Sequence, residues 1–250
     1  MSGHSKWATI KRKKGAEDAK RGKIFTRLAR DITVAAREGG GDESANPKLK
    51  LAIAKARAAN MPKENIERAI KRGTGELEGG AAMEELIYEG YGVNGIAFIV
   101  ECLTDNKNRT LAEIKNVFNK NGGSLATSGS VTWQFKQAGV ITLTGENLNY
   151  DEVFMIAADA GADDVESDDG TLTVYTPREA FAAVEQALSA AGYTIEDSGL
   201  RWIAINETSI DVASALKNMR IMERLEELDD VQSVASNMEI TSELLEALES

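Results

Sequence analysis

The residues best suited to chemistry in this sequence are the cations near its start. From Met1 to Arg37 there are eleven lysines and arginines against three acids, whereas the whole chain has a formal net charge of −11. Ammonium and guanidinium groups bind phosphate oxygens, so a basic segment in an acidic chain predicts a polyanionic partner such as nucleic acid. The candidate phosphate-binding cations, with one tryptophan that could stack on bases, are Lys6, Trp7, Lys11, Arg12, Lys13, Lys14, Lys20, Lys23, Arg27, Arg30 and Arg37.

The last four of these cations share one face of a predicted helix. At about 100° per residue with Ile24 at zero, Leu28 and Ile32 fall within ~140°, and the cations fall near ~220° to ~300°. Two interpretations follow for that cationic face: it is solvated, or it binds phosphates. The glycine and serine residues before Lys6 predict a free arm, which favours phosphate binding and leaves Trp7 available for stacking.

Composition excludes several other kinds of site. A single cysteine, Cys102, and a single histidine, His4, exclude an internal disulfide, a cysteine-rich zinc site and a Ser-His or Cys-His nucleophile within one chain. Cys102 lies in an apolar stretch and is expected to be buried. The acids between 163 and 169 lack the calcium-loop pattern and are expected to form a solvated rim. We therefore predict no catalytic residue, no metal site and no cofactor, with a carboxylate nuclease as a remote alternative that a Mg²⁺-dependent assay would expose.

A possible secondary contact follows the second predicted strand. Asp105, Asn106, Asn108 and Arg109 stand at the start of a predicted helix, where free backbone N–H groups can bind an anion. The alternative is that Asp105 or Asn106 caps the helix and Arg109 is solvated. The sequence alone leaves both interpretations open.

The cations must be positioned by a helical N-terminal domain. Two further helices are predicted to begin at Asn46-Pro47 and within Asn60–Glu64, and Gly73 is predicted to end the third helix. Residues 1–80 contain nineteen basic and ten acidic residues, whereas the remainder contains ten and thirty. This change in charge, followed by a glycine-rich linker, predicts a basic helical domain over 1–80.

Two α/β domains are predicted to follow, with the second inserted in the first. The order βαββαβ over 137–204 is that of a ferredoxin-like domain. A helix and a strand within 205–240 cannot form a domain alone, so they are expected to complete a sheet begun within 81–136, including a strand at Val131–Phe135. Residues 241–250 are expected to be an acidic tail. The predicted fold class is thus α+β and multidomain.

Five stretches, in order, resemble the YebC family, which also includes mitochondrial translational activators of cytochrome oxidase. They are residues 3–7 with the following basic run, 59–66 with 69–73, 88–92, 103–110, and 129–131 with Trp133 and Phe135. The resemblance implies three domains, one inserted in another, and a non-enzymatic cytoplasmic regulator of gene expression. It also implies a nucleic-acid partner, because members have been described both as transcriptional regulators and as ribosome-associated translation factors.

The residues favour ribosomal RNA or the ribosome over DNA. A helix that identifies DNA bases presents amide or hydroxyl side chains among its cations, whereas the first helix here offers almost only lysine and arginine. Such a face binds phosphates without identifying bases. A DNA-binding transcriptional regulator is the alternative, and a protein-interaction adaptor is a remote one. No apolar segment is long enough for a membrane helix, and no small-molecule substrate is inferred.

Overall fold

The N-terminal part of the structure is a three-helix unit with its own core. The computed structural model describes residues 6, 7, 10, 21–76, 84–145, 148–168 and 170–249, with the backbone alone at 21–24 and 249. The three helices are α1 (Arg21–Gly39), α2 (Pro47–Ala58) and α3 (Lys63–Thr74). The Asn46 side chain caps α2 as expected, accepting a hydrogen bond from the N–H of Leu49 at 3.0 Å. The largest side chains in this core are Ile32, Leu49, Ile53, Met61 and Ile66.

Gly73 lies inside α3 and does not end it, contrary to the sequence prediction. A Cβ at this position would stand 2.4 Å from the carbonyl oxygen of Thr33, so the glycine permits close packing of α3 on α1. The helix ends instead at Gly75, which has a φ of 80° and adopts the left-handed conformation typical of a helix C-terminus.

The chain next begins a first sheet. The elements of this part, which precede the second sheet in the sequence, are β1 (Glu84–Tyr91), β2 (Ala97–Thr104), α4 (Lys107–Lys120) and β3 (Ser124–Ala126). β1 pairs antiparallel with both β2 and β3. Phe98 of β2 and Phe118 of α4 meet edge to face, with 5.7 Å between ring centroids, and fix α4 against the sheet.

The strand predicted at Val131–Phe135 is wrong. Residues Thr132–Gln134 form a 3₁₀ turn, and Phe135 begins a strand of the second sheet. The physical reason is Glu89, whose carboxylate accepts hydrogen bonds from the N–H groups of Gly129, Val131 and Thr132. These donors are consequently unable to pair with a neighbouring strand, and the loop instead turns and leaves Trp133 72% exposed.

The second sheet belongs to a ferredoxin-like βαββαβ unit. Its elements are β4 (Phe135–Thr144), α5 (Tyr150–Asp159), β5 (Asp164–Asp168), β6 (Thr171–Thr176), α6 (Phe181–Ala190) and β7 (Thr194–Ala204). The strand order is β5-β6-β4-β7, with antiparallel pairing throughout. The two helices pack on the sheet through buried side chains, which are Val153 and Ala157 of α5 and Val184 and Leu188 of α6.

The chain then returns to complete the first sheet. It does so through α7 (Val212–Glu226) and β8 (Val231–Ser236), which pairs with β2 and gives the order β3-β1-β2-β8. The expected α+β class, with three helices followed by two sheet-containing units, is confirmed. The residue limits predicted for the domains stay predictions.

The C-terminal residues differ from the predicted acidic tail. They form a helix, α8 (Ser242–Glu249), in which Leu244 is 1% exposed and packs into the core of the first sheet. The leucines at 244, 245 and 248 give this acidic segment an apolar side, which explains why it packs. Across the part of the chain that the structure describes, no helix is both long enough and apolar enough to cross a membrane.

Candidate nucleic-acid interface

Trp7 is not available for base stacking in this structure. Its side chain is 6% exposed and packs, with Ile10, in the core beneath the first sheet. The indole Nε1 donates a hydrogen bond to Oε1 of Glu226 at 3.1 Å, and the Lys6 Nζ donates to the carbonyl oxygen of Ile240 at 2.7 Å. The expectation of a free Trp7 is therefore corrected: Trp7 attaches the start of the chain to the first sheet's domain.

Two of the α1 cations also contact the first sheet's domain. Arg27 Nη2 donates to the carbonyl oxygen of Glu226 at 2.9 Å, and Arg30 donates to the carbonyl oxygen of Asp229. Glu226 is the last residue of α7, where unpaired carbonyl groups and the helix dipole attract cations. One stretch of the predicted cationic face thus docks α1 against the C-terminal end of α7.

Asp230 is the centre of this contact. The residue is 1% exposed, and Arg30 Nη2 lies 2.7 Å from its Oδ1. The carboxylate also accepts hydrogen bonds from Thr110 Oγ1 at 2.6 Å, Thr104 Oγ1 at 3.1 Å and Arg109 Nη2 at 2.8 Å. Burial alone would raise the pKa of Asp230, but the hydrogen bonds from Thr110 and Arg109, the charge of Arg30 and the Thr104 hydroxyl outweigh it and lower the pKa. Asp230 is therefore held as a carboxylate between two domains.

The segment after β2 is a helix cap. The Asn106 side chain accepts a hydrogen bond from the N–H of Arg109 at 3.2 Å, which is the capping alternative left open by the sequence. Arg109 also forms an ion pair with Asp105 at 2.9 Å in addition to Asp230. Asn108 is exposed at the first turn of α4.

Some of the remaining predicted cations lie outside the described residues. Arg37 is exposed at the C-terminal end of α1, and Lys23 lies in α1 with only its backbone described. The predicted phosphate-binding residues that fall outside the described ranges are Lys11, Arg12, Lys13, Lys14 and Lys20.

A groove brings the two predicted contact regions together. It encloses about 340 Å³ between α1 and α3, and it extends to the segment before α4. We call it the arginine groove, and its polar lining is Thr26, Arg30, Thr33, Asn65, Arg68, Arg72 and Asp105. Arg30 and Asp105, which are 75 residues apart in the sequence, therefore belong to one site.

Arg68 and Arg72 were missed by the sequence analysis. Both are exposed, and neither forms an ion pair with any residue that the structure describes. They are four residues apart on the polar side of α3, next to Lys71, and this spacing is a signal that could have identified them. With Arg30, whose Nη1 and Nη2 already contact Asp229 and Asp230, they place three guanidinium groups around one groove.

The arrangement suits phosphate binding. Guanidinium groups donate in pairs to phosphate oxygens, and Asn65 adds an amide donor and acceptor. Residues 21–76 contain thirteen basic and seven acidic residues, so the surrounding potential also favours an anion. Among the residues described, no group of three histidine, cysteine, aspartate or glutamate side chains is arranged to hold a metal ion. Cys102 is buried as expected, and burial, the largest cause, raises the pKa of its thiol to about 12.

Comparisons with known proteins give a consistent result over nearly the whole chain. Two family models match the sequence. That of the TACO1/YebC protein N-terminal domain matches residues 5–76, and that of the TACO1/YebC second and third domain matches residues 83–238. A probable transcriptional regulatory protein of Dichelobacter nodosus is 54% identical over 244 residues, covering 97% of this chain and 99% of that protein. One of Treponema pallidum is 50% identical over 245 residues, covering 98% and 100%.

A solved structure supports the same relationship. The crystal structure of a conserved hypothetical protein from Aquifex aeolicus matches with a TM-score of 0.85 and 44% sequence identity. The match covers 91% of this chain and 94% of that chain.

Proposed function

Because the chain belongs to the TACO1/YebC family, we propose that it is a non-enzymatic, cytoplasmic regulator of gene expression that binds nucleic acid. The arginine groove and the basic run before α1 bind the phosphates. The observation that carries this proposal is the pair Arg68 and Arg72, which are exposed beside Arg30 without ion-pair partners in the described chain. The names of the relatives, probable transcriptional regulatory proteins, support a regulatory role.

Within this proposal we favour folded RNA, such as ribosomal RNA, over duplex DNA. A helix that enters the major groove needs one long free face. In α1, that face is partly occupied, because Arg27 and Arg30 contact the end of α7. In α3, Glu64 and Glu67 are exposed among the cations and would oppose the phosphates of a duplex. A groove between elements instead suits the irregular backbone of folded RNA.

A DNA-binding transcriptional regulator is the second candidate, and it is favoured by the names of the relatives. Phosphate binding by arginine is independent of base identity, so the same groove could accept a DNA backbone. A protein-interaction adaptor is a remote third candidate, and its binding to a protein partner should be unchanged when Lys11, Arg12, Lys13 and Lys14 are neutralised.

The test measures how the salt dependence of nucleic-acid binding changes when cations of the groove are removed. Binding of the full chain to a labelled single-stranded RNA, to a DNA duplex and to ribosomes is measured between about 50 and 200 mM KCl. Changing Arg68→Gln together with Arg72→Gln removes two phosphate contacts. The logarithmic salt slope for single-stranded RNA should then become shallower by about 1.4, at roughly 0.7 per contact.

The matched control removes two cations elsewhere on the same three-helix unit. Lys48→Gln with Arg57→Gln makes the same charge change on α2, where these cations pair with Glu38 and Glu43. This control should retain nearly the wild-type slope. Equal losses in the two double variants would show that net charge, and not the groove, drives binding.

A third variant tests the basic run, with Lys11, Arg12, Lys13 and Lys14 all changed to alanine. Ribosome binding that survives physiological salt in the wild type and is lost in this variant supports a translation factor. Salt-resistant binding to duplex DNA with weak ribosome association would instead support the transcriptional regulator. Ribosome binding that is unchanged in every variant, without affinity for the labelled RNA or the DNA duplex, would leave the adaptor.

A further inference from the structure

The outer face of α5 carries large apolar side chains exposed to solvent. Tyr150 and Phe154 are each 41% exposed, and Met155 is 61% exposed. The adjoining side of the same helix is completely buried at Val153 and Ala157, which fixes α5 against the second sheet. A cluster of exposed apolar side chains on a rigid helix is typical of an interaction site, whereas single exposed apolar residues are ordinary.

The aromatic pair on this face is held in place. The rings of Tyr150 and Phe154 stack with their centroids 6.0 Å apart and an interplanar angle of 21°. The Tyr150 Oη donates a hydrogen bond to the carbonyl oxygen of Val165 at 3.1 Å, which anchors the ring to β5. Phe154 is consequently presented in a defined orientation, and little side-chain entropy remains to be lost on binding.

The patch lies in a strongly acidic environment. Residues 137–204 contain thirteen acidic and two basic residues. On α5 itself, Asp151, Glu152 and Asp159 are exposed. At about 100° per residue, Asp151 lies between Phe154 and Met155 on the helix surface. Carboxylates thus alternate with apolar groups on one face, and this charge repels a polyanion.

We propose that this face of α5 docks a basic amphipathic helix of a protein partner. The aliphatic side chains of that helix pack on Phe154 and Met155, and its lysines or arginines pair with the flanking carboxylates. Tyr150 and Phe154 are four residues apart and form a ridge of the kind that fits the groove of another helix. Charge complementarity selects the partner, because the acidic surface attracts a basic chain and excludes nucleic acid. The site is separate from the arginine groove and does not depend on the proposed function.

The experiment uses the full chain and two synthetic peptides of equal charge. One is an amphipathic helix with leucine on one side and lysine on the other, and its twin has glutamine in place of each leucine. The wild-type chain should bind the leucine peptide about ten-fold more tightly than the twin at physiological salt. Phe154→Gln with Met155→Gln should reduce that ratio to about one, because both substitutions act on exposed side chains and preserve the fold. Amide shift mapping should place the perturbed signals on α5.

The matched control removes two exposed apolar side chains elsewhere. Leu51→Gln with Ile205→Gln changes residues that are 39% and 53% exposed and should leave the ratio unchanged. The proposal fails if the α5 variant keeps the preference for the leucine peptide or if the control loses it equally. It also fails if the α5 variant loses binding to labelled RNA, or if the chain self-associates in sedimentation and the α5 variant does not. If the α5 variant keeps its RNA binding, a loss of peptide preference can be assigned to the α5 face and not to the arginine groove.

Discussion

Replacing Asp230 with asparagine tests how α1 is attached to the first sheet's domain. The substitution keeps the shape of the side chain and removes its charge. It leaves Arg30, whose side chain is 16% exposed, and Arg109, whose side chain is 42% exposed, without the carboxylate they share. The new amide N–H groups also face arginine donors, because asparagine can accept through only one of its two terminal atoms.

The size of the effect follows from these contacts. Removing one member of a buried ion pair costs about 3 to 5 kcal/mol, and the exposure of Arg109 favours the lower end because water can replace its partner. We therefore expect Asp230→Asn to lower the free energy of unfolding by about 3 kcal/mol. For a chain of this length, that loss corresponds to a Tm lower by roughly 6 to 12 °C. Urea denaturation and calorimetry measure the two quantities.

The matched control is Asp229→Asn. It makes the same charge change at the neighbouring residue, whose side chain is exposed and whose carbonyl oxygen, not its carboxylate, contacts Arg30. Its unfolding free energy should stay within about 0.5 kcal/mol of the wild type. If Asp230→Asn costs no more than this control, the Asp230 contact does not stabilise the docking of α1, and the reasoning is refuted.

The same pair of proteins gives a pH test. Because the folded-state pKa of Asp230 is lowered, its contribution is complete above the unfolded pKa of about 3.9 and is lost as pH falls through the folded pKa. The stability difference between wild type and Asp230→Asn should be constant from neutral pH to about pH 5 and should shrink below about pH 4. A difference that shrinks already between pH 7 and pH 5 would contradict the lowered pKa.

Three further substitutions test other parts of the structure. Burial, the largest cause, raises the pKa of Asp31 to about 6. The contribution of Asp31 to stability should therefore fall as pH rises from about 4 to 6. Asp31→Asn should gain stability relative to the wild type over that range, by up to about 3 kcal/mol at pH 7, and a pH-independent difference in denaturation midpoints would contradict this. Glu89→Gln replaces a carboxylate that binds three backbone N–H groups, so it should cost about 2 kcal/mol and accelerate amide exchange in the loop at 127–133, and unchanged exchange would count against it. Gly73→Ala forces a Cβ against the carbonyl oxygen of Thr33 and should cost about 2 kcal/mol in urea denaturation, whereas a cost below about 0.5 kcal/mol would show that α3 can move away.

Local patterns in the sequence were sufficient for much of the fold. The start of α2 follows from Asn46 and Pro47, because a cap and a proline at the first helical turn act over a few residues. The βαββαβ order of the ferredoxin-like unit follows from the alternation of apolar periods over 137–204, and it corresponds to the strand order observed. The strand expected at Val131–Phe135 failed because Glu89, some forty residues away, binds the N–H groups that a strand would have used.

The sequence by itself also determined the chemistry available, which is a basic N-terminal part followed by acidic sheets. Helical periodicity identified the α1 face that carries Arg27 and Arg30, but it does not predict which residues that face contacts. Only the tertiary structure decided that Arg30 contacts Asp230, 200 residues later, and that it joins Arg68 and Arg72 around one groove. The physical reason is that caps and periodicity arise from bonds and contacts within a few residues, whereas docking depends on which distant surfaces are complementary in shape and charge.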